Sequence, residues 1–182
     1  MVSDAVTQDL RFARALGLLP LFERAARETG VPLEILLAVA SRESGIGRTI
    51  VGRRWIGDSG YGVGIMQIDK RYHPEFTQRV RTDDHAQVIQ YAARYLRKLY
   101  DQFRNWRYAV AAYNAGPTRV RQVLEWGYDP DDVTTGRNYS DDVMRRAEVI
   151  RSIINPNPFR ALVPAAIMAG AVLFSLAMIR HA

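Results

Sequence analysis

Cysteine is absent from all 182 residues, which excludes a disulfide framework and any thiolate-held metal. The histidines, His73, His85 and His181, stand far apart without HExxH or comparable ligand spacing, so neither metal nor cofactor is expected. No glycine loop runs into Lys-Ser or Lys-Thr, which removes the usual nucleotide-phosphate cradle. Internal repeats and low-complexity stretches are missing too, so a solenoid is excluded. Charge of one sign is nowhere concentrated. Lys and Arg are spread along the chain and mixed with acids, so nucleic acid is not an expected partner. The net charge of +6 would instead attract an acidic polymer.

What remains predicts a mainly α domain over residues 1–154, large enough for a real core. Amphipathic helices are expected over 5–17 and 20–29, broken at Gly17-Leu18-Leu19-Pro20, and over 32–44. Residues 50–70 read as a small β-hairpin lobe. A long helix follows over 83–103, with Asp83 as its cap and Val88, Ala92, Tyr95, Leu96 and Leu99 on its apolar face. Helices are then expected over 106–115, with Gly116 just past the end, and over 117–126, with Pro117 in the first turn. A last one covers 140–154, with Ser140 as N-cap and a stop at Asn155-Pro156-Asn157-Pro158.

Glu43 closes the apolar helix that begins at Pro32. Leu36, Ala40 and Glu43 fall at i, i+4 and i+7, which puts the carboxyl on the same face as aliphatic side chains. Apolar surroundings disfavour the charged form, so such a carboxyl can keep its proton near neutral pH, as a general acid requires. Beyond it Gly45, Gly47, Gly52, Gly57, Gly60, Gly62 and Gly64 punctuate a stretch that also holds Trp55, Tyr61, Ile65, Met66 and Ile68. That is too apolar for an exposed loop and reads as turns and short strands lining a cleft.

The order Glu43-Ser44, Gly64-Ile65-Met66-Gln67, Ala112-Tyr113-Asn114-Ala115-Gly116 and Tyr139 resembles the lytic transglycosylase and goose-type lysozyme group, over roughly residues 20 to 152. The resemblance implies a lysozyme-like α+β fold with the β-hairpin lobe beside the catalytic helix. It also implies cleavage of the β-1,4 bond between N-acetylmuramic acid and N-acetylglucosamine in peptidoglycan glycan strands. Ser41-Arg42-Glu43-Ser44, Gly57-Asp58 and Met66-Gln67-Ile68-Asp69-Lys70-Arg71 are more similar to goose-type lysozymes, because the typical transglycosylase pattern has no aspartate at the position of Asp69. Glu43 then matches the catalytic acid, and Asp58 and Asp69 match residues that position or activate the attacking water. Ser44, Gln67, Tyr113, Asn114 and Tyr139 match groove residues, with Tyr139 also bonded to the catalytic carboxyl region. The segment from Glu43 to Asp58 is slightly longer than in the vertebrate enzymes, and the cysteines of some relatives are missing.

Two carboxyls suit a hydrolase, in which one protonates the leaving oxygen and the other activates water. A transglycosylase needs only the first, since the sugar's own 6-hydroxyl attacks and leaves an anhydro end. Asp58 or Asp69 would serve as base. Asp58 could also be a plain turn residue, and Asp69 an ion-paired strand end beside Lys70 and Arg71. A third reading is an inactive wall-binding structural protein of a virion, which would need none of Glu43, Gln67, Tyr113 and Tyr139.

The long uncharged run from Ala161 to Ile179 sits between Arg160 and Arg180-His181. Its nineteen residues make a helix of about 28 Å, so a transmembrane helix contacting the lipid bilayer is expected after an Asn/Pro linker at 155–160. Ala166-xxx-Gly170 spacing would let two such helices approach, in a homo-oligomer or with virion partners. The N-terminal residues carry no secretory pattern, and Arg145, Arg146, Arg151 and Arg160 precede the span. A cytoplasm-facing domain follows, and with it a membrane-anchored bacteriophage virion or lysis enzyme, in an internal virion membrane or the host inner membrane.

Overall fold

The computed structural model describes residues 2–156. The linker from residue 157 onward and the expected span at 161–179 lie outside the described residues. Among the described residues no helix is long and apolar enough to cross a membrane. The chain divides after Ile150 into a first unit, which holds every candidate site residue, and a second of residues 151–182, described only as far as 156.

Eight helices and one small sheet make up the described part. Helices α1 (Val2–Ala15), α2 (Leu19–Thr29) and α3 (Leu33–Ser44) come first. Strands β1 (Ile56–Gly57), β2 (Gly62–Val63) and β3 (Ile68–Asp69) form an antiparallel sheet in that order. Then come α4 (Pro74–Thr77), α5 (His85–Phe103), α6 (Trp106–Ala115), α7 (Pro117–Glu125) and α8 (Tyr139–Ile154). The fold is therefore mainly helical with a small antiparallel lobe, as expected.

Helix α3 lies in the core. Every residue from Ile35 to Ser41 is buried, which explains why its sequence is apolar on all sides rather than striped. Phe22 of α2, Ile46 just past α3, Ile65, Met66 and Ile68 of the lobe, and Ile89 and Leu96 of α5 complete the core, all within 2 % of full burial. Helix α6 joins Leu99 and Val120 through Ala109, Ala111 and Ala112, small side chains that let helices approach closely.

Two expected caps are corrected. Asp84, not Asp83, caps α5: its carboxylate accepts from Gln87 N at 3.0 Å and Gln87 Nε2 at 2.6 Å. Asp83 instead pairs with Arg81 at 2.9 Å. Ser140 is not the cap of α8, because the helix already begins at Tyr139. The orphan amides there turn to Asp131, whose buried carboxylate accepts from Ser140 N at 2.8 Å, Asp141 N at 3.0 Å and the Ser140 hydroxyl at 2.8 Å. Thr134 Oγ1 takes the amide of Tyr139 at 3.3 Å. Burial works against ionisation of Asp131, yet these donors and the Thr134 hydroxyl outweigh it and hold its carboxyl below the usual range.

Candidate active site

Glu43 sits in the last turn of α3. The helix ends in a left-handed Gly45, where Gly45 N bonds to Ser41 O and Ile46 N reaches back to Ala40 O. A side chain at Gly45 would meet Asp9 Oδ1 at 2.9 Å, so glycine is required there for space as well as for its φ of 59°. Glu43 thus occupies the negative end of a helix dipole, an unfavourable place for a carboxylate.

Burial is the largest influence on this carboxyl and pushes its pKa up to about 7; the Asp58 charge adds to the rise, while Tyr139 and Arg42 oppose it. The Tyr139 hydroxyl donates directly to Glu43 Oε1. Tyr139 is itself buried, and that burial, then the charge and hydrogen bond of Glu43, raise its own pKa. Arg42 lies 5.8 Å from the Tyr139 ring centre and pairs with Asp142 at 3.5 Å. The outcome is a carboxyl whose pKa stands at about 7, with Oε1 bonded to Tyr139.

The lobe carries the next candidate residues. Gly57, Gly62 and Asp69 stand side by side across the three strands. The Gln67 side chain lies flat over the two glycines, where added Cβ atoms would come within 2.1 Å and 2.2 Å of its Oε1. Gln67 Nε2 donates to Gly64 O at 2.8 Å, and the residue holds a positive φ of 47°. The glycines of this motif therefore clear a bed for one amide side chain.

Asp58 and Asp69 are brought together by Arg71. Its Nε reaches both carboxylate oxygens of Asp69 at 3.0 Å, and its backbone amide adds a bond at 2.8 Å. Its terminal nitrogen spans Asp69 and, at 3.3 Å, Asp58 Oδ2. Asp69 is therefore the ion-paired strand end that the sequence allowed, and the hydrogen bond from Arg71 holds its carboxyl below the ordinary range. Asp58 stays more open, in a turn where it and Ser59 have φ of 44° and 53°.

Tyr113 donates to Met66 O at 2.8 Å and so ties α6 to the lobe. Burial, and then the charge of Glu43, raise its pKa. Asn114 Oδ1 accepts from Thr135 N at 2.8 Å, which ties the same helix end to the loop before Tyr139. The Tyr113 ring lies 5.7 Å from that of Tyr95. Tyr95 in turn lines an open groove of about 570 Å³ with Tyr72, His73, Tyr91 and Lys98.

Ser44 needs correcting. It is 1 % exposed, and its hydroxyl donates to Ile65 O at 2.6 Å and accepts from Gly47 N at 2.8 Å. It faces the core and joins α3 to the lobe, so it does not line the groove. Of the remaining candidates, Tyr139 bonds Glu43 directly, the Glu43 charge acts on Tyr113, and the Asp58 charge acts on Glu43.

One supporting cluster was missed from sequence. Asp9 of α1 is 1 % exposed and accepts from the Ser41 hydroxyl at 2.7 Å and from Arg48 Nε at 2.9 Å. Arg146 of α8 donates to Ser41 Oγ at 2.9 Å and to Asp142 at 2.8 Å. This network holds the back of the turn that carries Glu43. Its trace in the sequence is an acid on the apolar face of α1, between Val6, Leu10 and Ala13. Among the described residues no cluster of three or more His, Asp or Glu could hold a metal ion.

Comparison with known proteins gives the same direction. Residues 20–133 match the family described as Transglycosylase SLT domain. Lysozyme G of Dromaius novaehollandiae is 28 % identical over 135 residues, 70 % of this chain and 63 % of that protein. Lysozyme g of Gallus gallus is 30 % identical over 139 residues, 72 % of this chain and 62 % of that protein. Protein IpgF of Shigella flexneri is 29 % identical over 129 residues, 66 % of this chain and 82 % of that protein. The chain thus spans less than two thirds of the length of these two lysozymes.

Proposed function

The chain belongs to the transglycosylase SLT domain family, and from that premise we propose that it cleaves the β-1,4 MurNAc–GlcNAc bond of peptidoglycan with Glu43 as general acid. The observation that carries this is the carboxyl of Glu43, raised to about 7 and bonded by Tyr139 through one oxygen. The other oxygen then delivers the proton to the leaving glycosidic oxygen, and cleavage leaves Glu43 as a carboxylate that Tyr139 and Arg42 stabilise. Gln67 and the aromatic groove beyond Tyr113 are suited to hold neighbouring sugars by hydrogen bonding and stacking.

In the favoured reading a water attacks from the far side of the sugar with a carboxylate as base, giving a muramidase. Influence of Asp58 on Glu43 supports it, because it places a second carboxylate within electrostatic reach. A second reading, lytic transglycosylation to 1,6-anhydro ends, is favoured by a different observation: Asp58 and Asp69 both already bind Arg71. A zymogram on purified peptidoglycan tests the activity, and its absence in a folded chain would leave the wall-binding reading. Mass analysis of the released muropeptides separates reducing from anhydro ends.

We further propose that residues 161–179 anchor the domain in a bilayer, supported by nineteen successive uncharged positions between Arg160 and Arg180. Arginines upstream of the run support a domain on the cytoplasmic side, the placement from which a virion with an internal membrane would carry it to the next wall. Full-length protein that stays monomeric in detergent-free buffer would overturn the anchor.

A further inference from the structure

We propose that Arg71 is a positioning residue that divides the work between the two lobe carboxylates: it locks Asp69 as a strut and leaves Asp58 to take the proton of the attacking water. This rests on the hydrolytic reading above.

The two aspartates hold Arg71 very unequally. Asp69 engages its Nε, its terminal nitrogen and its backbone amide, and the Asp69 side chain is only 23 % exposed. Asp58 offers one oxygen to one nitrogen at 3.3 Å, and its side chain is 61 % exposed. A carboxylate must give up its cation before it can accept a proton, so Asp69 is the poorer base. One long, open hydrogen bond is readily exchanged for water. Asp58 is also the aspartate whose charge reaches Glu43, while Asp69 is not among the groups that shift it.

Arg71 is itself fixed. Its guanidinium carbon lies 4.1 Å from the Tyr61 ring centre, on the same turn that sets Asp58 in a left-handed conformation. The planar group can reach both carboxylates at once and still face the ring, which an ammonium cannot do in the same geometry. During hydrolysis the water oxygen bonds to the sugar C1 as the C1–O bond to the leaving sugar breaks. The water proton goes to Asp58, and the Glu43 proton goes to the leaving oxygen. Nothing is oxidised or reduced.

The experiment is a double-mutant cycle on peptidoglycan, with Asp58→Asn and Asp69→Asn each made in the wild-type and Arg71→Ala chains. Reducing-end release is followed across pH. Asp58→Asn is expected to lose about 10²–10⁴-fold in kcat in both backgrounds, the usual weight of a general base. Asp69→Asn is expected to cost the same factor as Arg71→Ala and to add nothing once Arg71 is gone. The acid limb of the Arg71→Ala profile should move to higher pH, since two carboxylates then face each other without their cation. Lys70, His73 and Glu43 are the other titrating neighbours, and none is altered by the substitution. Millimolar guanidinium should restore part of the Arg71→Ala activity, which a purely structural residue would not show. If Arg71→Ala fails to fold, Arg71→Lys carries the same cycle. A full loss from Asp69→Asn without Arg71, or an active Asp58→Asn enzyme releasing reducing ends, overturns this inference alone. A wild type releasing only anhydro ends overturns it together with the hydrolytic reading.

Discussion

Tyr139 and Glu43, 96 residues apart in the chain, meet in one hydrogen bond from the phenol to the carboxyl. Each is delivered by its own capping device. Glu43 ends α3, whose last turn is closed by Gly45 and backed by Asp9 and Ser41. Tyr139 begins α8, whose first amides are taken by Asp131 and Thr134. The acid is thus held between the end of one helix and the start of another, and the positions of both termini set its geometry.

Removing the phenol should raise the pKa of Glu43 further, because the hydrogen bond from Tyr139 favours the ionised form. Hydrogen bonds to charged groups contribute about 1.5–3 kcal/mol, which allows a shift of about one to two units. In Tyr139→Phe the alkaline limb of kcat/KM is therefore expected to move to higher pH, with a lower maximum from poorer orientation. A limb that stays put or moves down would show that Tyr139 does not act on the acid.

Glu43→Gln should abolish cleavage and also stabilise the fold at high pH. The amide has no proton to donate, and loss of a general acid costs about 10²–10⁴-fold or more. For stability the sign follows from a carboxyl whose folded pKa, about 7, lies above its unfolded value near 4.5. The folded state binds the proton more tightly, so wild-type stability falls as pH rises through that window and then levels off. The full difference is on the order of 3 kcal/mol. Glu43→Gln lacks this penalty, so its melting-temperature advantage should be larger at pH 8 than at pH 5. An advantage independent of pH would show that Glu43 is not held protonated.

Much of this site was legible before any coordinates. Apolar periodicity placed α3, α5 and α6 to within a residue or two at each end, and of the motif residues Tyr139 bonds Glu43 while Tyr113 bonds Met66 O, next to Gln67. Ser44 was misread because adjacent helical residues point about 100° apart, so a motif neighbour of Glu43 faces the core instead of the cleft. The cap of α8 was misread for another reason. Its donors are satisfied by Asp131, nine residues from Ser140 and outside any local capping pattern. The sequence allowed Arg71 as a partner of Asp69 but not its bridge on to Asp58, which depends on β1 and β3 flanking β2.

Asp9 tests the support behind the acid. Its side chain is 2 % exposed and faces Arg48 and Arg146, so Asp9→Ala leaves two cations beside a buried Ser41 hydroxyl without their counter-charge. Breaking a buried pair on one side typically costs about 3–5 kcal/mol. Arg48 is more than a third exposed and can turn to water, which points to the lower end. Urea unfolding should show a loss of about 3 kcal/mol. A change below about 0.5 kcal/mol would place Asp9 among ordinary surface acids.

Gly62 gives a sharper separation of packing from function. An alanine there sets a methyl carbon 2.2 Å from Gln67 Oε1 and 2.8 Å from its Cδ, so the amide must swing away. The displaced group is the free end of a side chain, not backbone, which limits the stability loss to about 1 kcal/mol. What is lost is the flat amide on the lobe, together with its bond to Gly64 O. Gly62→Ala should therefore raise KM for glycan with little change in melting temperature. Gln67→Ala should raise KM by a similar factor, and the double substitution should be no worse than either alone, because both remove the same group. Independent, additive losses would mean that Gly62 serves the strand pairing of β1, β2 and β3, and that Gln67 does not need the glycine bed.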